Sequence, residues 1–138
     1  MPKLSNRVDN FTDSVIRRMT RISDAYGAIN LSQGFPDFDP PKEIIDALAH
    51  ITYNGPHQYT ITYGSYNLRN ALARKHGKAI DRAIDPDKEV LVTCGGTEAM
   101  MCAMMTICNP GDNVIIFSPF YENYMADTIL SGANPIYV

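Results

Sequence analysis

The sequence lacks the features that would point to a membrane or a nucleic acid. Its 138 residues contain no apolar run of membrane-spanning length, since the longest, residues 114–117, has only the length of a strand. There is no surplus of basic residues either, because 12 Lys and Arg stand against 15 Asp and Glu, a net charge of −3. Contact with phosphate groups along a nucleic acid needs clustered positive charge. We therefore expect a globular protein that binds neither nucleic acid nor membrane.

Cysteine is scarce, and its spacing argues against a disulfide framework and against a zinc site. Cys94, Cys102 and Cys108 are odd in number and form no C-x2-C pair, and the three histidines supply no H-x3-H complement. All three cysteines lie in segments typical of a core, which predicts reduced thiols and no metal. The first five residues lack the apolar stretch of a signal peptide, so the sequence predicts a cytoplasmic protein.

The first half of the chain predicts helices joined by irregular segments. Apolar residues at helical spacing predict a helix over residues 11–26. Three prolines and a glycine within residues 34–41 exclude a helix there. Pro41 suits the first turn of a second helix, and a third helix is expected around Leu68, Leu72 and His76. In the second helix we expect four apolar side chains to face inward: Ile44, Ile45, Leu48 and Ala49.

From residue 89 onward, strand and helix patterns alternate. Short apolar runs predict strands at residues 90–93, 114–117 and 134–138, separated by helices at 98–108 and 121–131. This β-α-β-α-β order is typical of an α/β protein with a parallel sheet and helices packed on it. The last strand reaches residue 138 without a closing helix, so we expect the fold to be incomplete.

The turn between the first of these strands and its helix is a candidate anion site. Gly95 and Gly96 let the backbone approach a ligand without a Cβ in the way, and Thr97 offers a hydroxyl. Free N–H groups and the positive end of the helix dipole favour a phosphate there. An ordinary turn with Thr97 as the helix N-cap explains the residues equally well. The motif is neither a G-x-G-x-x-G fingerprint nor a P-loop.

Two further patterns admit more than one interpretation. An aromatic residue in the segment 118–124, at the carboxyl end of the second strand, could stack on a flat cofactor ring or cover the sheet edge. The methionines of the helix 98–108 are interpreted as core residues rather than as a binding surface: Met100, Met101, Met104 and Met105.

Five motifs in order resemble those of the class I/II aminotransferases, fold-type I enzymes that use pyridoxal 5'-phosphate (PLP). They are the G-x-P-D-F segment within residues 31–38, the Y-x4-G-x3-L-R run at 59–69, the phosphate-loop sequence at 92–99, the N-P-G-D-x-V link at 109–114 and the loop 118–124. The resemblance covers roughly residues 29–138. It implies an N-terminal helix and substrate-side segment over residues 1–40. Residues 41–138 would then be the first part of the PLP-binding large domain, a three-layer unit left incomplete at 138.

The resemblance also implies a role for each matching residue. Gly34 would offer its backbone N–H to the substrate carboxylate. The three residues Gly95, Gly96 and Thr97 would hold the cofactor phosphate, and Tyr121 would stack on the pyridine ring. Tyr59 would reach the phosphate of the partner subunit, so the active enzyme would be a homodimer. The substrates would be an amino acid and a 2-oxo acid.

The resemblance places the Schiff-base lysine of the family beyond Val138. None of the chain's five lysines stands in the family's lysine context, so we expect this chain alone to be inactive. Two alternatives stay open: a C–S β-lyase of the same fold, and a short non-catalytic protein that binds phosphate or PLP or dimerises. An open reading frame after the codon for Val138 would favour the enzyme, and a stop codon would favour the short protein.

Overall fold

Residues 3–138 are described by a computed structural model, in two units that adjoin in sequence between Pro56 and His57. The first unit contains a short 3₁₀ helix, Asn6–Asn10, and the helices α1, Val15–Tyr26, and α2, Lys42–Asn54. The second contains α3, Tyr66–Ala79, α4, Gly95–Ile107, β1, Asn113–Ile116, α5, Glu122–Leu130, and β2, Asn134–Tyr137. The α/β class is confirmed, and the expected domain boundary near residue 40 stays a prediction.

Capping residues determine where the helices of the first unit begin and end. The Ser14 hydroxyl accepts a hydrogen bond from the N–H of Arg17 at 3.3 Å, so α1 begins at Val15 rather than at residue 11. Gly27, in the left-handed conformation, ends it. Pro41 occupies the N-cap of α2, and Gly55 follows its last residue.

The burial predicted for the apolar side of α2 is wrong. The four apolar residues expected inside are all exposed, because no other described element of the first unit covers this side of the helix: Ile44, Ile45, Leu48 and Ala49. Amphipathic spacing identifies the apolar side of a helix correctly, but not whether a neighbour covers it.

The sheet in the described residues has two parallel strands. β1 pairs with β2 in a register that places Asn113 opposite Asn134 and Ile116 opposite Tyr137. The helix α5 connects them and packs on both, and α4 packs against α5. The core of this unit contains Met104, Ile116, Thr128 and Ala133, all buried.

The predicted strand at residues 90–93 is irregular chain outside the sheet. The N–H of Val92 donates instead to the carbonyl of Tyr63 at 3.0 Å, in the turn before α3. A pattern of apolar residues predicts an extended backbone, but a strand also needs a hydrogen-bonded neighbour. The three-strand prediction is therefore wrong for the described residues, while its last two strands are confirmed.

The link at residues 109–114 joins α4 to β1 and packs closely against Gly132, in the turn before β2. The N–H of Gly111 donates to the carbonyl of Gly132 at 2.9 Å, and a Cβ on Gly132 would lie 3.3 Å from the Cα of Pro110. Asp112 accepts from the N–H of Asn109 at 2.7 Å. These contacts bring the start of β1 beside the start of β2.

Several remaining predictions concern single side chains. The three cysteines are free thiols, but Cys94 is exposed rather than in the core. Met104 is buried as expected, whereas Met105 is exposed and is no core residue. Within residues 3–138 there is no cluster of three metal-ligating side chains and no helix of a length and hydrophobicity that could span a membrane. The cytoplasmic location stays a prediction.

Candidate functional site

The first turn of α4 presents backbone donors to open space. Gly95 has a φ of +84°, a conformation that favours glycine, and its N–H donates to the carbonyl of Thr93 at 2.8 Å. Among the described residues, the N–H groups of Gly96 and Thr97 meet no acceptor. A Cβ on Gly95 or Gly96 would meet no atom within 4 Å, so there is room for a ligand beside these donors.

Thr97 is not the N-cap of this helix. α4 begins at Gly95, with Cys94 as its N-cap, so Thr97 is the third helical residue. No side chain of residues 3–138 caps the helix, and the carboxylate of Glu98 accepts a hydrogen bond from the backbone N–H of the N-cap residue Cys94. The assignment of Thr97 as the N-cap is therefore wrong, while binding of an anion at this turn stays a prediction. The hydroxyl of Thr97 does not cap the helix.

A hydrogen bond between two side chains joins this turn to the start of α5. Asn123 Nδ2 donates to Thr97 Oγ1 at 2.9 Å across 26 residues of sequence. Asn123 is the second residue of α5, and Tyr121 is the N-cap of that helix. The bond therefore brings together the two segments that sequence motifs singled out separately. Sequence reasoning missed Asn123, because no pattern identifies a pair so distant in the chain.

The Tyr121 ring stands at the edge of an open apolar groove. Its side chain is 49% exposed, and Tyr124 contacts it edge-on, with ring centroids 5.9 Å apart. The groove has a volume of about 570 Å³ and six lining residues: Ile116, Phe117, Pro119, Phe120, Tyr121 and Tyr124. A half-exposed aromatic ring beside such a groove can stack on a flat ligand.

Arg69 joins two turns that lie on either side of α3 in the chain. Its side chain is buried, and Nε donates to the carbonyl of Gly64 at 3.0 Å. Nη1 donates to Asp87 Oδ1 at 2.8 Å and to the carbonyl of Pro86. The guanidinium thus connects the turn before α3 to the turn before residues 90–93. The run Y-x4-G-x3-L-R contained this signal, but its residues gave no indication of which groups the arginine contacts.

Tyr59 and Gly34, the other two site residues that the resemblance implies, belong to different units of the chain. Tyr59 belongs to the second unit and is 93% exposed. Gly34 belongs to the first unit, in irregular chain between α1 and α2, and a Cβ there would meet no atom within 4 Å. The structure brings together the α4 turn and the start of α5.

One buried carboxyl lies on α5, four residues after Asn123. Asp127 is 3% exposed, and its Oδ2 has no hydrogen-bond partner among the described residues. Burial raises the pKa of this carboxyl above its ordinary value. The arrangement at the α4 turn itself is suited to binding an anion, since helix N-terminal donors attract negative charge.

Comparisons with known proteins identify the family. The sequence profile of the family Aminotransferase class I and II matches residues 26–138. The chain belongs to this family. The methionine aminotransferase of Escherichia coli is 39% identical over 119 residues, which are 86% of this chain and 31% of that enzyme. Human kynurenine–oxoglutarate transaminase 1 is 34% identical over 136 residues, 97% of this chain and 32% of that enzyme.

Solved structures of aminotransferases contain the fold of this chain. N-succinyldiaminopimelate aminotransferase from Mycobacterium tuberculosis superimposes with a TM-score of 0.89 at 34% identity, over 99% of this chain and 35% of that one. An Escherichia coli protein with a methionine aminotransferase function gives 0.91 at 33% identity, over 100% and 36%. The fold class is confirmed. The chain spans about a third of the length of the relatives it matches.

Proposed function

We propose that the protein is a PLP-dependent aminotransferase, and that this chain supplies the part that binds the cofactor's phosphate and ring. The observation that carries the proposal is the bond from Asn123 to Thr97, which joins a helix N-terminus with open donors to the start of the helix capped by Tyr121. Membership of the aminotransferase family supports the same function. The reaction would move an amino group between an amino acid and a 2-oxo acid.

The residues of the α4 turn fit a phosphate. The N–H groups of Gly96 and Thr97 would donate to its oxygens, in the open space that the glycines leave. Gly95, with its positive φ, shapes the turn. Tyr121 would stack on the pyridine ring and orient it. PLP held by these residues would supply an electron sink for the reaction at the substrate's Cα.

Two further residues complete the proposal. Gly34 would offer its N–H to the substrate carboxylate, a role that its open surroundings allow. Tyr59 would donate to the phosphate of a partner subunit in a homodimer, and its side chain is exposed for such a contact. Both assignments rest on the motif match.

The 138-residue chain alone would not catalyse transamination. Two of its five lysines are engaged in ion pairs with neighbouring aspartates, Lys42 with Asp46 and Lys88 with Asp85. None of the five stands in the sequence context of the family's lysine. Without that lysine, no group of the chain would bind the cofactor covalently and transfer the substrate's proton.

The binding test uses pyridoxamine 5'-phosphate and pyridoxamine, which differ only in the phosphate and need no lysine. We expect the protein to bind the phosphorylated form more tightly by fluorescence titration. Thr97→Val should weaken that binding about tenfold or more, because it removes a donor to a charged group. Thr106→Val, on the last turn of the same helix, is the matched control and should leave binding unchanged. Equal affinity of the unchanged protein for the two amines would overturn the proposal.

The activity test uses two proteins, the gene product in its full encoded length and the 138-residue chain. With PLP, the full-length gene product should transfer the amino group of an amino acid to a 2-oxo acid. Chromatography of both products measures this transfer. Release of ammonia and a thiol from a sulfur amino acid, without transfer, would instead support the β-lyase. Transaminase activity in the purified 138-residue chain would contradict the proposal that it is inactive alone.

A further inference from the structure

The hydroxyl group of Thr97 is bonded differently from those of the other helical threonines. In four threonines the hydroxyl donates to the carbonyl four residues earlier, at 2.7–3.1 Å: Thr20, Thr52, Thr106 and Thr128. Thr97 has no such acceptor, because it is the third residue of α4 and residue 93 lies before the helix. Its hydroxyl proton is therefore not used within the helix.

Asn123 determines which way that proton can point. A threonine hydroxyl has one proton to donate and two lone pairs that accept. Asn123 Nδ2 donates to Thr97 Oγ1 at 2.9 Å, so the oxygen serves as acceptor on the side of α5. The proton must then lie on another side of the oxygen. Among residues 3–138, no hydrogen bond uses it.

Two backbone donors lie beside this hydroxyl. The N–H groups of Gly96 and Thr97 are also without acceptors in the described part of the chain, and open space lies beside Gly96. A phosphate in that space would receive two backbone donors and one hydroxyl. Hydrogen bonds to an anion are shorter and stronger than those between neutral groups, so a correctly directed hydroxyl contributes to affinity.

We propose that Asn123 is a positioning residue, which holds Thr97 Oγ1 as an acceptor and so directs the hydroxyl proton to the ligand's phosphate. The proposal rests on the proposed function, because it needs a phosphate at the α4 turn. Asn123 does not itself contact the ligand. Removal of the Asn123 side chain should therefore change the affinity only through the hydroxyl of Thr97.

The first test changes the hydrogen-bonding character of Asn123 without changing its shape. Asn123→Asp replaces a donor by acceptors, which would take the proton of Thr97 and repel the phosphate. We expect affinity for pyridoxamine 5'-phosphate to fall more than tenfold, and affinity for pyridoxamine to stay within twofold. Asn123→Ala should lower the first affinity about three- to tenfold. Asn70→Asp on α3 adds the same charge elsewhere and is the matched control.

The second test is a double-mutant cycle that separates positioning from a structural role. In a Thr97→Val background, Asn123→Ala should have no further effect on the affinity for pyridoxamine 5'-phosphate. In Thr97→Ser, which keeps the hydroxyl, the same change should weaken binding again. A loss of folding would lower both affinities together and would show in the far-ultraviolet circular dichroism. Because this cycle uses Asn123→Ala and not Asn123→Asp, it tests the proposal even if the Asn123→Asp protein does not fold.

The outcomes distinguish this inference from the proposed function. If the unchanged protein binds both amines equally, the phosphate site fails and the role of Asn123 fails with it. If it prefers the phosphorylated amine, but Asn123→Ala weakens binding equally with and without the Thr97 hydroxyl, the inference alone is overturned. A preference that depends on Asn123 only when residue 97 carries a hydroxyl supports both.

Discussion

A methyl group on Gly64 would lie 2.6 Å from the Cβ of Val92, closer than two carbon atoms approach without overlap. The backbone at Gly64 has a φ of +98°, and the preceding carbonyl, of Tyr63, accepts from the N–H of Val92 at 3.0 Å. Val92, in the segment that leads into α4, therefore packs directly on the turn at Gly64. Glycine is required there for conformation and for space.

Gly64→Ala should lower the free energy of unfolding by about 2–4 kcal/mol, because backbone strain and overlap with Val92 add. Gly111→Ala is the matched control, since its φ of +93° is similar but a methyl group would meet no atom within 4 Å. The control should lose only about 1 kcal/mol. Urea unfolding followed by circular dichroism measures both. Equal losses would mean that the contact with Val92 contributes nothing.

Arg69→Lys should destabilise the protein although it keeps the positive charge. The guanidinium of Arg69 reaches three acceptors on Gly64, Pro86 and Asp87, and a lysine ammonium cannot reach groups so arranged. We expect a loss of about 2–4 kcal/mol in the free energy of unfolding, because the hydrogen bonds of a buried guanidinium are lost and the carbonyl of the buried Gly64 loses its partner.

Arg74→Lys, an exposed change on the same helix, should stay within about 0.5 kcal/mol of the unchanged protein. The same urea titration compares the two lysine variants. An Arg69→Lys protein as stable as Arg74→Lys would show that the acceptors of Arg69 are satisfied by water after the substitution.

Local patterns in the sequence were sufficient to predict most of the helices and the two strands. Helix ends depend on neighbouring residues, such as Ser14 and Gly27 around α1, and these are visible in the sequence. The helix after Cys94 was likewise predicted, although it begins at Gly95 rather than at residue 98. In these cases the residues that determine where a helix begins or ends lie within a few positions of that end.

The features that sequence could not predict depend on partners distant in the chain. Residues 90–93 have the composition of a strand, but their backbone bonds with the turn before α3 rather than with β1 or β2. The pairing of Asn123 with Thr97 spans 26 residues, and neither residue alone indicates it. Whether the apolar side of α2 is covered is also decided by other elements, not by its own spacing.

Cys94 should react first among the three thiols. Cys94 is exposed at the N-cap of α4, whereas Cys102 and Cys108 are partly buried. Reaction with Ellman's reagent under native conditions should therefore show one fast phase with an amplitude of one thiol. Cys94→Ser should remove that phase, and Cys108→Ser should leave it unchanged. A fast phase that survives Cys94→Ser would show that another thiol is more accessible than the structure indicates.

Asp127 should make the protein less stable as the pH rises. Burial raises the pKa of this carboxyl in the folded state, so the folded protein holds the proton more tightly than the unfolded chain does. The stabilising effect of the proton is complete below the ordinary pKa of an aspartate, about 4. It is lost as the pH rises through the elevated pKa of the folded state. Above that pKa the charged carboxylate is buried without a partner for Oδ2.

Asn at position 127 keeps the shape of the protonated carboxyl and cannot ionise. Asp127→Asn should therefore raise the free energy of unfolding by about 1–3 kcal/mol at pH 7.5 and much less at pH 4. Asp39→Asn, at an exposed site, is the matched control and should show no such dependence. Urea unfolding of the three proteins at both pH values gives the comparison. If the advantage of Asp127→Asn were the same at pH 4 and pH 7.5, ionisation of Asp127 could not be its cause, and the buried carboxyl would have an ordinary pKa.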